Sequence, residues 1–205
     1  MSSAFVHLHT HSSYSPMDGV PTLEALCHAV HAQGQDTFAL TDTNGLYGAI
    51  HFLDVARDTR LTPILGAELV HETHRAVLLA KTPTGYANLC RILSARHCDE
   101  RFDFIGAIAH HRAGLVILSD DLTALTAWSQ DSTDDLYVEL TSGLETHEAV
   151  AFSRERGLPP VATTRATFLR PADYQAPRHA RARARSAPGP ERVYRRPPHG
   201  RWSGM

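Results

Sequence analysis

Short apolar segments alternate with helical patterns along most of this chain, and this alternation limits its fold more than any other feature. The predicted strands are Phe5–His9, Thr37–Thr41, Thr62–Val70, Ala76–Ala80, Gly114–Ser119, Leu136–Leu140 and Pro160–Thr163. Helices are predicted at residues 21–34, 47–57, 86–94 and 145–156. Strands separated by helices usually pair in parallel, and this many of them favour a barrel-like α/β fold. A doubly wound open sheet is the alternative.

The character of the chain changes after Tyr174. Residues 175–205 hold 8 of the 19 Arg and five of the 12 Pro, with almost no aliphatic side chains. Such a composition cannot form a core, so we predict a domain at residues 4–174 and a disordered Arg/Pro-rich tail at 175–205. The tail resembles GC-rich sequence translated in a shifted frame. A basic tail that binds nucleic acid through residues 178–201 is the alternative.

Composition narrows the class of protein. Hydrophobic residues make up 42% and the net charge is −2, which indicates a globular chain without a general attraction to nucleic acid. No apolar run is long enough to span a membrane. Cys27, Cys90 and Cys98 show no Cys-x-x-Cys spacing. We therefore expect a reducing, cytoplasmic environment.

The strongest local signal is a cluster of histidines near the N-terminus. His7, His9 and His11 alternate with other residues, and Asp18 and Gly19 follow. Residues two apart on a strand point to the same side, so these rings could align if the strand continues. Imidazole nitrogens with a carboxylate suit zinc, manganese or iron. The alternative is an edge strand with solvated histidines.

Two further acidic residues accompany buried-type strands. Asp42 directly follows Thr37–Thr41, where a carboxylate could serve a site or cap the next helix. Glu68 lies within the strand Thr62–Val70, where burial is costly unless a cation or a hydrogen-bond donor meets the carboxylate. Metal coordination would remove that cost, whereas a Glu exposed to water at the strand end would not incur it.

Together these residues resemble the PHP family (polymerase and histidinol phosphatase). The matching motifs are Leu8-His9-Thr10-His11-Ser12 with Asp18-Gly19, then Leu40-Thr41-Asp42, then Gly66-Ala67-Glu68. Between them, other segments look like the N-terminal domain of bacterial DNA polymerase III alpha subunits of the replicative or error-prone type. These segments include Tyr47-Gly48-Ala49-Ile50, Gly85-Tyr86-Ala87-Asn88-Leu89 and Gly157-Leu158-Pro159-Pro160-Val161-Ala162-Thr163. They occur in family order over about residues 5–174.

The resemblance implies a distorted (β/α)7 TIM-like barrel of the PHP type, which we expect to be incomplete at its C-terminal end. It also implies a cluster of up to three divalent metal ions that hydrolyses phosphate esters, linked in the polymerases to 3′–5′ exonuclease proofreading. Other members have lost ligands and support the polymerase structurally. The parent family is a DNA-directed DNA polymerase, a nucleotidyltransferase of DNA replication or error-prone repair, and its partners are DNA and the polymerase domains.

The chain departs from the family pattern at several ligand positions. Thr43 stands where the family usually has His, and Arg165 and Thr167 replace an Asp and a His near the end. Arg75 stands at another His position, with His74 beside it. We therefore expect His9, His11, Asp18 and Glu68 to hold one divalent ion (Zn, Mn or Mg) or none, with Asp42 and Asp121 as weaker candidates.

The favoured function is a truncated PHP domain of a DNA polymerase III alpha subunit, with a degenerate metal site and without the polymerase palm. No catalytic residue is assigned, and at most a weak metal-dependent phosphoesterase or exonuclease activity is expected. The alternatives are a free-standing PHP phosphoesterase or 3′–5′ exonuclease, and an accessory protein whose basic tail binds DNA. With the favoured function, DNA binding by this chain itself is not expected.

Overall fold

The computed structural model describes residues 5–16, 18–141 and 146–174. The predicted tail at 175–205 lies outside these residues, so its disorder stays a prediction. Within the described part of the chain, no helix combines the length and the apolar composition needed to cross a membrane.

A six-stranded sheet forms the centre of the fold. Its strands are β1 (Thr37–Leu40), β2 (Thr62–His71), β3 (His74–Ala80), β4 (Leu115–Ser119), β5 (Leu136–Leu140) and β6 (Pro160–Ala162). Strand order in the sheet follows chain order from β1 to β6. A doubly wound sheet would reverse its order partway, so the sequential order identifies a curled, partial TIM-like barrel, as predicted.

Strand β3 differs from the expected all-parallel arrangement. It pairs antiparallel with both β2 and β4, while the remaining neighbours are parallel. Only residues 72 and 73 separate β2 from β3. A connection this short makes a hairpin, because a parallel crossover needs a dozen residues or more.

Among the residues that the structure describes, six α-helices and one short 3₁₀ helix accompany the sheet. They are α1 (Leu23–Ala32), α2 (Ala49–Thr59), α3 (Pro83–Cys98), α4 (Phe104–His111), α5 (Leu122–Asp131), α6 (Thr146–Arg156) and the 3₁₀ helix Pro171–Tyr174. Helices α1, α3 and α5 are each capped by a side chain that accepts hydrogen bonds from backbone N–H groups of the first turn. The capping residues are Thr22 for α1, Thr82 for α3 and Asp121 for α5. Since capping satisfies amides that the helix leaves unpaired, these residues define where the helices begin.

The N-terminal segment links the two edges of the sheet. On one side His7 O accepts from Ala39 N at 2.8 Å, and Thr10 O accepts from Thr41 N at 2.9 Å. On the other side His11 N donates to Ala166 O at 2.8 Å. The segment therefore forms isolated bridges to both neighbours instead of the regular strand predicted at Phe5–His9.

The inner face of the sheet is apolar at one end and charged at the other. Alternate residues of a strand share a face, so Ile64 and Glu68 lie inward on β2, as Tyr137 and Glu139 do on β5. The apolar end borders a cavity of about 420 Å³ beside Ile64 and Tyr137. At the other end, buried polar side chains collect. They include His9, His11, Thr41, Asp42, Glu68, Glu139 and Thr163.

Gly19 fixes the loop that follows the two histidines, and this makes its replacement testable. A Cβ at position 19 would lie 1.8 Å from Ser12 O and 2.5 Å from Ser12 C, which are backbone atoms that cannot yield locally. We expect Gly19→Ala to lower the free energy of unfolding by about 1–3 kcal/mol in urea titrations. The exposed neighbour Ser13→Ala should change it by less than about 0.5 kcal/mol. Equal stability of the two variants would contradict the close packing.

Candidate metal centre

The charged end of the inner face brings two histidines and two carboxylates together. His9 and His11 come from the N-terminal segment, Glu68 from β2 and Glu139 from β5. All four are buried, with exposed fractions of 0%, 0%, 0% and 1%. Burial of so many ionisable groups requires partners for each of them, and those partners determine which atoms remain available.

His9 is oriented by Glu139. Nδ1 of His9 donates to Oε1 of Glu139 at 2.7 Å, and the Thr163 hydroxyl donates to the same oxygen at 2.5 Å. With its proton on Nδ1, a neutral His9 ring presents the lone pair of Nε2 to Glu68. A carboxylate behind a histidine is the arrangement that orients metal-ligating imidazoles.

His11 is oriented through Ser15 in the same way. The Ser15 hydroxyl donates to Oδ1 of Asp42 at 2.7 Å, so Ser15 Oγ accepts from Nδ1 of His11 at 3.0 Å. The proton of a neutral His11 ring is thereby placed on Nδ1, and the lone pair on Nε2. Both histidines thus direct Nε2 towards the same point.

The three free donor atoms have the spacing of ligands around one ion. Nε2 of His9 lies 3.1 Å from Nε2 of His11 and 3.4 Å from Oε1 of Glu68. Nε2 of His11 lies 3.7 Å from Oε2 of Glu68. Around a tetrahedral ion with bonds of about 2.0–2.1 Å, ligand atoms are separated by about 3.3 Å. The side chains therefore fit a single divalent ion such as zinc.

The local electrostatics favour positive charge at this point. Burial alone would raise the pKa of Glu68, but the close contact with His9 and the charges around it, including Arg165, lower that pKa to about 2. Burial lowers the pKa of His11 to about 4, so that ring is neutral at pH 7. Burial also opposes a charge on His9, but Glu139 and Glu68 raise its pKa above the ordinary value. A proton on His9 can therefore supply part of the positive charge in the metal-free state.

Two guanidinium groups supply the remaining positive charge. Nη2 of Arg165 lies 3.1 Å from Oε1 of Glu68, and Nε of Arg75 lies 3.9 Å from the same oxygen. Arg75 also pairs with Asp120. Oε1 of Glu68 nevertheless lacks a well-aligned hydrogen bond within the described residues, so its contact with Arg165 is an ion pair of imperfect geometry. This buried oxygen retains capacity for a cation.

Thr43 contacts the second oxygen of the Glu68 carboxylate. Its hydroxyl donates to Oε2 of Glu68 at 3.1 Å. The resemblance would place a histidine at this position, and a threonine hydroxyl is not among the usual ligands of zinc. Thr43 therefore stabilises the carboxylate without adding to the donor set.

The remaining predicted ligands are not brought into this group. Asp42 is buried and accepts from Ser12 N, the Ser12 hydroxyl and the Ser15 hydroxyl, so its role is to hold the loop after His11. Asp121 caps α5 and pairs with Nδ1 of His74 at 2.6 Å. Within the described part of the chain, the group of donors within 4.8 Å of one another does not include Asp18. That group does not include His7 either, and Nδ1 of His7 lies 3.0 Å from the Thr164 hydroxyl oxygen.

Glu139 was not identified from the sequence as a site residue. A signal for it was present, because it is a carboxylate inside the apolar strand Leu136–Leu140, as Glu68 is inside Thr62–Val70. A charged residue on the inward side of a buried strand is expensive without a partner. Applying this argument to both strands would have found the residue that orients His9.

The low pKa of Glu68 leads to a prediction for stability without metal. The folded pKa is about 2, whereas an unfolded Glu titrates near 4.3, so ionised Glu68 stabilises the fold above about pH 4.3. This contribution is lost as the pH falls towards 2. In EDTA, we expect Glu68→Gln to lower the free energy of unfolding by about 1–3 kcal/mol at pH 7 and by much less at pH 2.5.

Urea unfolding of the wild type and the variant at both pH values measures this difference. The exposed Glu148→Gln serves as a control and should have little effect at either pH. A deficit of Glu68→Gln that is the same at pH 7 and pH 2.5 would contradict the depressed pKa.

Comparison with known proteins agrees with this architecture. The profile of the PHP domain family matches residues 7–164. DNA polymerase III subunit alpha of Treponema pallidum is 33% identical over 139 residues, covering 58% of this chain and 12% of that protein. Error-prone DNA polymerase of Symbiobacterium thermophilum is 43% identical over 95 residues, covering 46% of this chain and 9% of that protein. DNA polymerase III subunit alpha of Vibrio cholerae is 28% identical over 207 residues, covering 84% of this chain and 18% of that protein. The chain spans less than a fifth of the length of each relative.

Solved structures share the fold. A two-domain protein of Bacteroides vulgatus that contains a predicted PHP-like metal-dependent phosphoesterase superposes with a TM-score of 0.57 at 13% identity, covering 79% of this chain and 51% of that one. An amidohydrolase of Chromobacterium violaceum with bound sulfate and no metal superposes with a TM-score of 0.54 at 15% identity. The superposition covers 86% of this chain and 97% of that one. Since the family profile also matches more than half of the 205 residues, the chain belongs to the PHP domain family.

Proposed function

We propose that this chain is the PHP domain of a bacterial polymerase of the DNA polymerase III alpha type, with a metal site reduced to one ion or none. In this proposal the domain serves chiefly as a structural support within the polymerase. The error-prone polymerase of Symbiobacterium thermophilum and the DNA polymerase III alpha subunit of Treponema pallidum are both much longer than the region that matches this chain. Replication and error-prone repair therefore remain equally compatible settings.

The observation that carries the proposal is the ion pair between Arg165 and Glu68. A guanidinium lies 3.1 Å from the central carboxylate, where the resemblance would place further metal ligands. Thr43 occupies a second ligand position with a hydroxyl that donates to Glu68. Three donors support one ion, whereas the multi-metal hydrolysis of a phosphodiester requires ligands for at least two.

The residues that remain could still serve a single ion. His9, His11 and Glu68 would hold it, and a metal in such a site polarises phosphoryl oxygen and lowers the pKa of bound water. Glu139 and Ser15 contribute by fixing the ring orientation of His9 and His11. These features favour a second candidate, a metal-dependent phosphoesterase or 3′–5′ exonuclease, which the ion pair with Arg165 argues against.

The setting of the domain follows from the same relatives. Its partners would be the polymerase domains and, through them, DNA, in the cytoplasm of a bacterium. The domain would comprise residues 4–174, and residues 175–205 would lie outside it. Arg/Pro-rich composition is the support for that boundary, since it offers little that could join the core.

Hydrolysis assays test the proposal directly. The 205-residue chain with Mn²⁺ or Zn²⁺ should cleave p-nitrophenyl phosphate and an end-labelled oligonucleotide no faster than its His9→Ala variant. After dialysis it should retain at most one ion per chain, as measured by mass spectrometry of the metals. The exposed His28→Ala provides a matched control. Robust turnover that survives His28→Ala but is abolished by His9→Ala would refute a mainly structural role.

A further inference from the structure

We propose that Arg165 competes, within the chain, with a metal ion for Glu68. In the metal-free protein its guanidinium neutralises Glu68, and it has to turn away before His9, His11 and Glu68 can bind an ion together. This inference rests on the proposed function, because it concerns the same site and assigns the metal affinity of that site to one residue.

The backbone around Arg165 is held against the segment that carries the histidines. Ala166 N donates to His9 O at 3.0 Å, and Ala166 O accepts from His11 N at 2.8 Å. On the other side of Arg165, the Thr164 hydroxyl contacts Nδ1 of His7 at 3.0 Å. These bonds fix the origin of the Arg165 side chain beside the donor atoms.

Arg165 also has an unusual conformation. Its φ angle is 42°, in the left-handed region that residues with a Cβ rarely adopt. Such conformations persist where the surroundings hold them, and they often occur at functional sites. Here the hydrogen bonds of Thr164 and Ala166 hold the residue, and the result is a guanidinium that reaches a fully buried carboxylate.

The side chain is placed so that it can leave. The Arg165 side chain is 37% exposed, whereas the Glu68 carboxylate is fully buried. Arg165 lines an open cleft of about 500 Å³, together with Arg75 and Asp120. Arg75 is held by Asp120 and lies farther from Glu68, so it can stay in place while Arg165 rotates into the cleft.

Metal and guanidinium cannot both occupy their preferred positions at Glu68. A divalent ion bound by Glu68 would lie about 2 Å from an oxygen of the same carboxylate that the guanidinium contacts at 3.1 Å. Two positive groups this close in a buried site repel each other strongly. Only the fraction of molecules with Arg165 turned away can bind, and the apparent affinity is reduced by that fraction.

Metal titration of the full 205-residue chain tests this competition. Affinity for Zn²⁺ would be measured against a chromophoric chelator for the wild type, Arg165→Gln and Arg165→Gly. Glycine suits the positive φ at this position, so the second variant should fold even if the first is unstable. Arg170→Gln removes the same charge from an exposed position of the same segment and is the matched control.

We expect both Arg165 variants to bind Zn²⁺ about 10-fold more tightly than the wild type, and Arg170→Gln to bind as the wild type does. Combining Glu68→Gln with Arg165→Gly should abolish the gain. In EDTA, Arg165→Gln should melt at a lower temperature than the wild type, and Zn²⁺ should reverse this loss. Wild-type affinity in both Arg165 variants would overturn the inference and leave the polymerase assignment intact. Efficient phosphoester hydrolysis by the wild type would contradict the proposed function instead.

Discussion

The negative charge of Glu68, buried at the charged end of the sheet, is the constraint on which the site depends. The Glu68 side chain is fully buried, so bulk solvent does little to stabilise its charge. An isolated charge in such a place would be prohibitively costly, so the protein must bring positive charge to it. A proton on His9, the guanidinium of Arg165 and a divalent ion are three ways to meet the same requirement. The fold allows all three because the carboxylate lies between the histidines and an open cleft.

The surrounding residues are arranged to support that carboxylate. Glu139 and Ser15 fix the two imidazole rings, and Asp42 fixes Ser15 and Ser12 in turn. These layers of hydrogen bonds hold the rings of His9 and His11 beside Glu68, although Thr43 and Arg165 stand where the family resemblance places further ligands. In the function that we propose, the chain keeps the bonds that orient the remaining donors while it binds one ion or none.

Much of the architecture could be predicted from local patterns, and the failures have physical causes. The strand Leu136–Leu140 was predicted with its observed bounds because short, largely apolar runs mark buried strands. Helix Phe104–His111 was missed because a helix this short is stabilised by packing rather than by its own sequence. The direction of β3 was missed because composition does not encode strand direction, although the short gap between the predicted strands Thr62–Val70 and Ala76–Ala80 was a signal for a hairpin. His9, His11 and Glu68 were predicted to converge, and they lie together, whereas contacts between distant segments, such as that of Glu139 with His9, depend on the folded chain.

A crystal structure of the 205-residue chain grown with Zn²⁺ would test the competition for Glu68 most directly. We expect one ion bound by Nε2 of His9, Nε2 of His11 and the carboxylate of Glu68. We also expect the Arg165 guanidinium to lie in the open cleft, away from Glu68. An ion held by these three ligands while Arg165 keeps its contact with Glu68 would contradict the account, as would an ion bound at other residues.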